Sequence, residues 1–314
     1  MGILYLVLIF AGMYFVCVEL ERACSDTARR LKIPESIAGA TLLAVASSAP
    51  EFFTSFLGAV VHGVFEVGLI AILWSAIFNI TVIPGVSALL SPAKLVVAPD
   101  VIRRDCVAYA ATTLLLIGLI EDQTLSRIDA LILLGAYGLY TYVLFLMVKS
   151  PEAGDDEEGE GHSQPLWRTL LGLVVGVAAI GVLCHFMIEV GGELAKGFGI
   201  SFLILSALVF APGTSLPDLL LSVFAARRGA GSAAVSNAFG SNSFDLTVCL
   251  AVPVLVIGDI PVSTGGAVGQ SIYMLLGTVV LTMLLVRTGY SLNKREGLFL
   301  VATFVGLAIT ICLL

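Results

Sequence analysis

Three acids stand where acids are expensive. Glu51, Asp218 and Asp245 each fall well inside a long apolar stretch, and neither those stretches nor the one that holds Ser75–Asn79 has an interior Lys or Arg. A carboxylate in a bilayer interior costs about 2.5–3.5 kcal/mol on an insertion scale, so three unpaired ones cost on the order of 7–10 kcal/mol. Cations or protons must offset that cost. Ala44, Ser48, Glu51 and Ser55 are spaced four, three and four apart, which puts them on one helical face, and Ala211, Ser215, Asp218 and Ser222 repeat the spacing. Pro50 and Pro217 directly precede the first two acids. A helical proline cannot donate its backbone bond and clashes with the carbonyl four residues back, so the turns around Ala46 and Gly213 loosen and free their carbonyls. Such carbonyls are tolerated in hydrocarbon only when buried in protein or facing water or an ion, although a proline kink can also serve packing alone.

Ser75/Asn79 and Ser241/Asp245 are i,i+4 pairs that can bring further oxygens to the same point, and small polar residues of this kind also bind helices together. Carboxylates, hydroxyls, an amide and backbone carbonyls are hard donors that suit Ca²⁺, with Na⁺ as competitor; clustered His, Cys or Met for softer metals is missing. The six cysteines, at 17, 24, 106, 184, 249 and 312, show no paired spacing and predict neither a disulfide framework nor a thiolate site. Cys249 shares a face with Asp245 but reads as an inert buried thiol. His185 reads as a packed or hydrogen-bonded residue.

The elements that must hold these residues are membrane spans. Hydrophobic residues make up 58% and charged ones 12% of the 314 residues, which excludes an ordinary soluble domain. Apolar stretches near the ~20 residues needed to cross a bilayer run at Ile3–Val18, Pro34–Val61, Val64–Leu90, Cys106–Ile120 and Ile128–Val148. Five more follow at Trp167–Val190, Ile200–Ala226, Ala233–Ile257, Val268–Val286 and Leu298–Leu314. The first has no basic leader or cleavage site and is expected to be retained. The fold expected is an all-α integral membrane protein of ten transmembrane helices in two inverted five-helix repeats: 1–149, an acidic linker 150–166, and 167–314.

Basic residues orient the spans, because Lys and Arg stay on the cytoplasmic side. Alternate loops hold Arg22, Arg29, Arg30 and Lys32; Lys94, Arg103 and Arg104; Lys149 and Arg168; Arg227 and Arg228; and Arg287, Lys294 and Arg295. Only Arg127 and Lys196 remain for the other side, so both termini are predicted outside the cytoplasm, in a multi-pass protein of the cell membrane. The formal net charge of −7 owes much to Glu152, Asp155, Asp156, Glu157, Glu158 and Glu160, a solvated linker.

The halves repeat. Ala40–Ser55 laid on Ala207–Ser222 matches Ala40/Ala207, Ala44/Ala211, Ser48/Ser215, Pro50/Pro217 and Ser55/Ser222, with Ser47/Thr214 and Glu51/Asp218 alike in chemistry. Ser75–Asn79 lies against Ser241–Asp245 in the same order. An odd number of spans separates equivalent helices, so the halves are inverted.

These motifs resemble the calcium/cation antiporter superfamily, in which two repeats carry G-[ST]-S-x-P-[ED] and later G-S-N-x-x-[ND] elements. ASSAPEFFTS with SAIFN, and PGTSLPDLLLS with GSNSFD, carry the likeness. The Asp of SLPD and the closing Asp of GSNSFD look most like the potassium-dependent sodium/calcium exchangers. The resemblance implies calcium at Glu51 and Asp218 with Ser47 and Thr214. It implies sodium at Glu51, Ser75, Thr214, Ser215 and the Ala211 carbonyl on one side, and at Asp218, Ser47, Ser48, Ser241 and the Ala44 carbonyl on the other. Asn79 and Asp245 complete the centre or hold potassium. Trp74 and Ala46 depart from the pattern, which usually has Gly at both positions, and bulk at Trp74 bears on packing or the outward passage.

The function expected is sodium/calcium antiport by alternating access, with Ca²⁺ and Na⁺ as substrates, potassium co-transport left open by Asp245, and no cofactor or enzymatic activity. A calcium/proton antiporter is the alternative, and a passive cation channel a more distant one. An intramembrane enzyme is disfavoured, because no nucleophile–base pair or zinc-type His motif is evident.

Overall fold

A computed structural model describes residues 1–30, 44–147, 166–287 and 289–313, and nearly all of that backbone is helical. In chain order the helices are α1 (Gly2–Arg30), α2 (Ala44–Ser47), α3 (Ala49–Val60) and α4 (Phe65–Leu90). Helix α5 runs through Pro99–Val101, a wider-wound turn Ile102–Cys106 and Val107–Leu119, and α6 is Arg127–Met147. Then come α7 (Leu166–Phe198), α8 (Phe202–Leu205, wider-wound Ser206–Phe210, and Ala211–Thr214) and α9 (Leu216–Arg227). Helix α10 comprises Gly231–Phe244, wider-wound Asp245–Cys249 and Leu250–Ile257; α11 is Gly266–Arg287 and α12 is Lys294–Cys312.

Seven of these, α1, α4, α6, α7, α10, α11 and α12, are long and apolar enough to cross a bilayer, and the pair α8–α9, bent by 44°, makes an eighth candidate. Of the ten expected spans, the second runs back into residues outside the described ones, and the fourth is carried by the three-part α5. The linker 150–166 also lies outside them. Exposed Leu4, Leu8 and Phe15 of α1, Val174 of α7 and Leu298 of α12 form an apolar exterior that lipid can satisfy.

Helix α4 is the axle of the bundle. Its central window is wholly buried, as expected for a helix that is apolar all round, and α3, α9, α10, α11 and α12 pack against it. Pro84 inside it cannot bond the Ile80 carbonyl, and Thr282 Oγ1 of α11 donates to that carbonyl at 3.1 Å instead. Trp74 points into the same packing, donating to Ser271 Oγ at 2.9 Å and meeting Phe304 edge-on. Its bulk is therefore absorbed by α11 and α12.

Two short antiparallel pairs tie the links together: β1 (Leu95–Val96) with β4 (Ser291–Leu292), and β2 (Thr124–Leu125) with β3 (Ile260–Pro261). Ala98 N also donates to Ser232 Oγ at 2.8 Å, so the links after α4, α9 and α11 meet on one face. His185 of α7 faces His62 of the α3–α4 link, Nδ1 to Nε2 at 3.1 Å, with Glu189 beyond it at 3.5 Å. It is a hydrogen-bonded partner, as read from the sequence.

Helices α4 and α12 cross through glycine. A Cβ on Gly297 would lie 2.7 Å from the Gly85 carbonyl oxygen, whereas one on Gly306 would meet nothing within 4 Å. Gly297→Val is expected to cost about 1–3 kcal/mol by forcing the helices apart, with Gly306→Val near neutral. Thermal unfolding of the two variants in detergent checks this.

Candidate functional site

The two acidic helices break where the prolines demand it. Between α2 and α3 Ser48 leaves the helix at φ −88°, ψ 9°, and between α8 and α9 Ser215 leaves it at φ −84°, ψ 3°. Both breaks lie two residues before a proline, so each half-helix ends in carbonyls while the next begins with unpaired N–H groups. Glu51 and Asp218 sit in the first turns of α3 and α9, where the helix dipole favours negative charge. The carbonyl ends of α2 and α8 face the same breaks, an arrangement that suits a cation between them.

Glu51 is buried and held from both halves of the chain. Ser215 Oγ donates to its Oε1 at 3.1 Å, Ser75 Oγ reaches it at 3.3 Å, and the two hydroxyls are 2.7 Å apart. Asp218 is held from its own half: Ser241 Oγ and Asn237 Nδ2 each donate to its Oδ1 at 3.2 Å.

Asp245 opens the wider-wound turn of α10, a local geometry common at functional sites. Its Oδ1 accepts from Cys249 Sγ at 3.7 Å, and Ser48 lies beside it. Asn79 Nδ2 donates to Asn242 Oδ1 at 3.0 Å, and Asn242 in turn donates to the Ala76 carbonyl at 3.1 Å, joining α4 to α10. The Ala211 carbonyl accepts from both Thr214 Oγ1 and Ser215 N, so helix bonds already engage it. Ala44 begins α2.

One atom of each acid is left over. Glu51 Oε2, Asp218 Oδ2 and Asp245 Oδ2 are buried without a hydrogen-bond donor, as are Asn79 Oδ1, Ser48 Oγ and Ser55 Oγ. These are acceptors, and no Lys, Arg or His pairs with the three acids among the described residues. Nor do three or more His, Cys, Asp or Glu side chains gather as a metal cluster among those residues. A cation held here would be shared among carboxylates, hydroxyls, an amide and carbonyls, the mixed hard set that Ca²⁺ or Na⁺ accepts.

Sequence reasoning passed over Asn237 and Asn242. Asn242 belongs to the second motif, but the repeat sets it against Ala76, so no partner drew attention to it. Asn237 stands four residues before Ser241 on the same face, which was the available signal. Asp105 was also missed because it lies at the edge of an apolar stretch. It is buried, paired with Arg104, and accepts from Ser236 Oγ at 2.6 Å and Tyr140 at 3.4 Å.

The family described as sodium/calcium exchanger protein matches residues 1–146 and 168–313. The chain is 24% identical to sodium/potassium/calcium exchanger 5 of Homo sapiens over 97% of its own length and 81% of that protein. Among solved structures it is similar to the sodium-calcium exchanger NCX_Mj soaked with Na⁺ and Sr²⁺, at 24% identity and TM-score 0.68, covering 98% of this chain and 97% of that one. It is also similar to the H⁺/Ca²⁺ exchanger CAX at 13% identity and TM-score 0.81, covering 98% and 82%. At these identities the two structures speak for the fold.

Asn242→Ala removes the link between α4 and α10 and leaves the Asn79 amide unpaired. A loss of about 1–3 kcal/mol is expected. The three carboxylates remain, so calcium should still raise the melting temperature of this variant; thermal unfolding with and without the ion reads both effects.

Proposed function

Because this chain belongs to the sodium/calcium exchanger protein family, we propose that it is a secondary antiporter exchanging sodium for calcium across a membrane by alternating access. It is a multi-pass integral membrane protein, and its role is transport rather than catalysis. The observation that carries the reading is the set of buried carboxylates at and beside two helix breaks, each with an oxygen lacking a donor and none with a basic partner among the described residues. Only cargo or protons can compensate them.

In this reading calcium lies between Glu51 and Asp218 with Ser47 and Thr214. Sodium competes through Glu51, Ser75, Thr214 and Ser215 and the Ala211 carbonyl on one side, and through Asp218, Ser47, Ser48, Ser241 and the Ala44 carbonyl on the other. Asn79 and Asp245 complete the centre, and potassium, if carried, is held there. Sodium and calcium use the same oxygens, and only a charge-compensated site passes through the occluded state. That rule couples the two fluxes.

The halves 1–149 and 167–314, inverted about the site and joined by the linker, are the two moving bodies of a ten-span carrier of the cell membrane. Support comes from the like breaks at Ser48 and Ser215 and from the strand pairs, each of which joins a link of one half to a link of the other. The meeting of the links that carry Lys94 and Arg228 with the link that leads into α12 at Lys294 supports one cytoplasmic face and both termini opposite it.

Calcium uptake into proteoliposomes under separately imposed sodium, potassium and pH gradients tests the reading. Sodium-driven uptake is expected; uptake driven by pH without sodium would replace the reading with calcium/proton antiport, and flux needing no counter-ion would make it a channel. Glu51→Gln and Asp218→Asn each remove one charge at constant size and should lower uptake at least about a hundredfold, while both variants still elute as monodisperse protein. Wild-type flux in either would refute that residue's assignment. If uptake requires potassium, Asp245→Asn should abolish the requirement.

A further inference from the structure

One more buried carboxylate is unused by that reading. Glu21 of α1 is 9% exposed, and its Oε1 is buried without a hydrogen-bond partner. The adjacent Arg22 does not compensate it, because its guanidinium is held by Glu19 on the exposed side of the helix. A buried carboxylate without a hydrogen bond or a basic partner carries a large desolvation cost that a bound cation would relieve.

Glu21 lines a cavity of about 440 Å³ between α1 and α9, walled also by Val18, Ser25 and the Glu19-paired Arg22 on one side and Pro217, Leu221 and Phe224 on the other. Pro217, in that wall, is the neighbour of Asp218. One turn further along the same face of α1, Cys17 is fully buried in the apolar cluster that holds Ala46 and Ala49, two residues before Glu51. This face of α1 therefore leads from the cavity to the paired acids.

We propose that Glu21 is a cation waypoint, binding a hard divalent cation of the calcium class in the α1–α9 cavity and passing it on to Asp218. The proposal rests on the transport reading above. A charge against apolar walls focuses the local field and concentrates counter-ions. With one carboxylate and the Ser25 hydroxyl as its oxygens, the site is weak enough to release what it gathers, which conduction towards a deeper site requires.

The test is the initial rate of calcium transport against calcium concentration, measured separately at each membrane face in vesicles of known orientation. Glu21→Gln keeps the size and removes the charge. At the face on which Arg22 and Ser25 lie, the KM for calcium should rise about tenfold, with the maximal rate and the KM at the opposite face unchanged. Unchanged KM at both faces would mean a neutral carboxyl that only packs, and equal rises at both would mean an effect on the central site; either overturns the proposal. Ser25→Glu, which adds a second carboxylate to the same wall, should lower KM at that face alone. It decides the matter if Glu21→Gln aggregates, an unchanged or higher KM counting against the waypoint. Wild-type protein that moves no calcium would sink the transport reading and the waypoint together, whereas a working wild type with an unmoved KM sinks the waypoint alone.

Discussion

Burying negative charge without a basic partner is the constraint to which the rest of this molecule answers. Glu51, Asp218 and Asp245 are taken out of water at a cost that no ion pair among the described residues repays, and hydroxyl, amide and thiol donors satisfy only one oxygen of each. A partly satisfied acid in a low-dielectric interior is a strong attractor for a small cation, since the same low dielectric that makes it costly magnifies its pull. A lysine in the same place would have settled the charge permanently. The protein uses replaceable compensation instead.

That choice explains where rigidity is invested. The breaks at Ser48 and Ser215 give up helix hydrogen bonds, so the surroundings must hold them in place. Helix α4 does this from the centre, buried along its length, with its own proline defect covered by Thr282 and its Trp74 locked to Ser271. The Asn79–Asn242–Ala76 chain fixes α10 against it. Polar bonds buried in a bundle specify position as much as they stabilise, because a shifted helix leaves them unmade.

Much of this was legible in the sequence, for identifiable reasons. Proline next to an acid inside an apolar run announces a broken helix, and the breaks fall where Pro50 and Pro217 put them. Composition gave long apolar spans, although α5 divides into three pieces and the start of the second span lies outside the described residues. What spacing could not reveal is who partners whom. Asn237 and Asn242 bond across turns and between helices, relations set by packing rather than by periodicity, and Asp105 is buried by Ser236 and Tyr140, which are remote in sequence. Trp74 looked like an obstruction near the site, yet the helix turns it away.

The hydrogen bonds that cross between the halves, from Ser215 to Glu51 and from Asn79 to Asn242, reach beyond the ion site itself. The second half finishes the acid of the first, so the first half alone contains no complete site, and a change at Glu51 meets its consequence some hundred and sixty residues away. Two segments of common pattern are thus free to diverge along their lipid-facing sides while being bound to change together at a handful of inner positions. Had the halves once been separate subunits, these bonds would have made them obligate partners, and fusing them into one chain would have fixed a pairing that the chemistry already required.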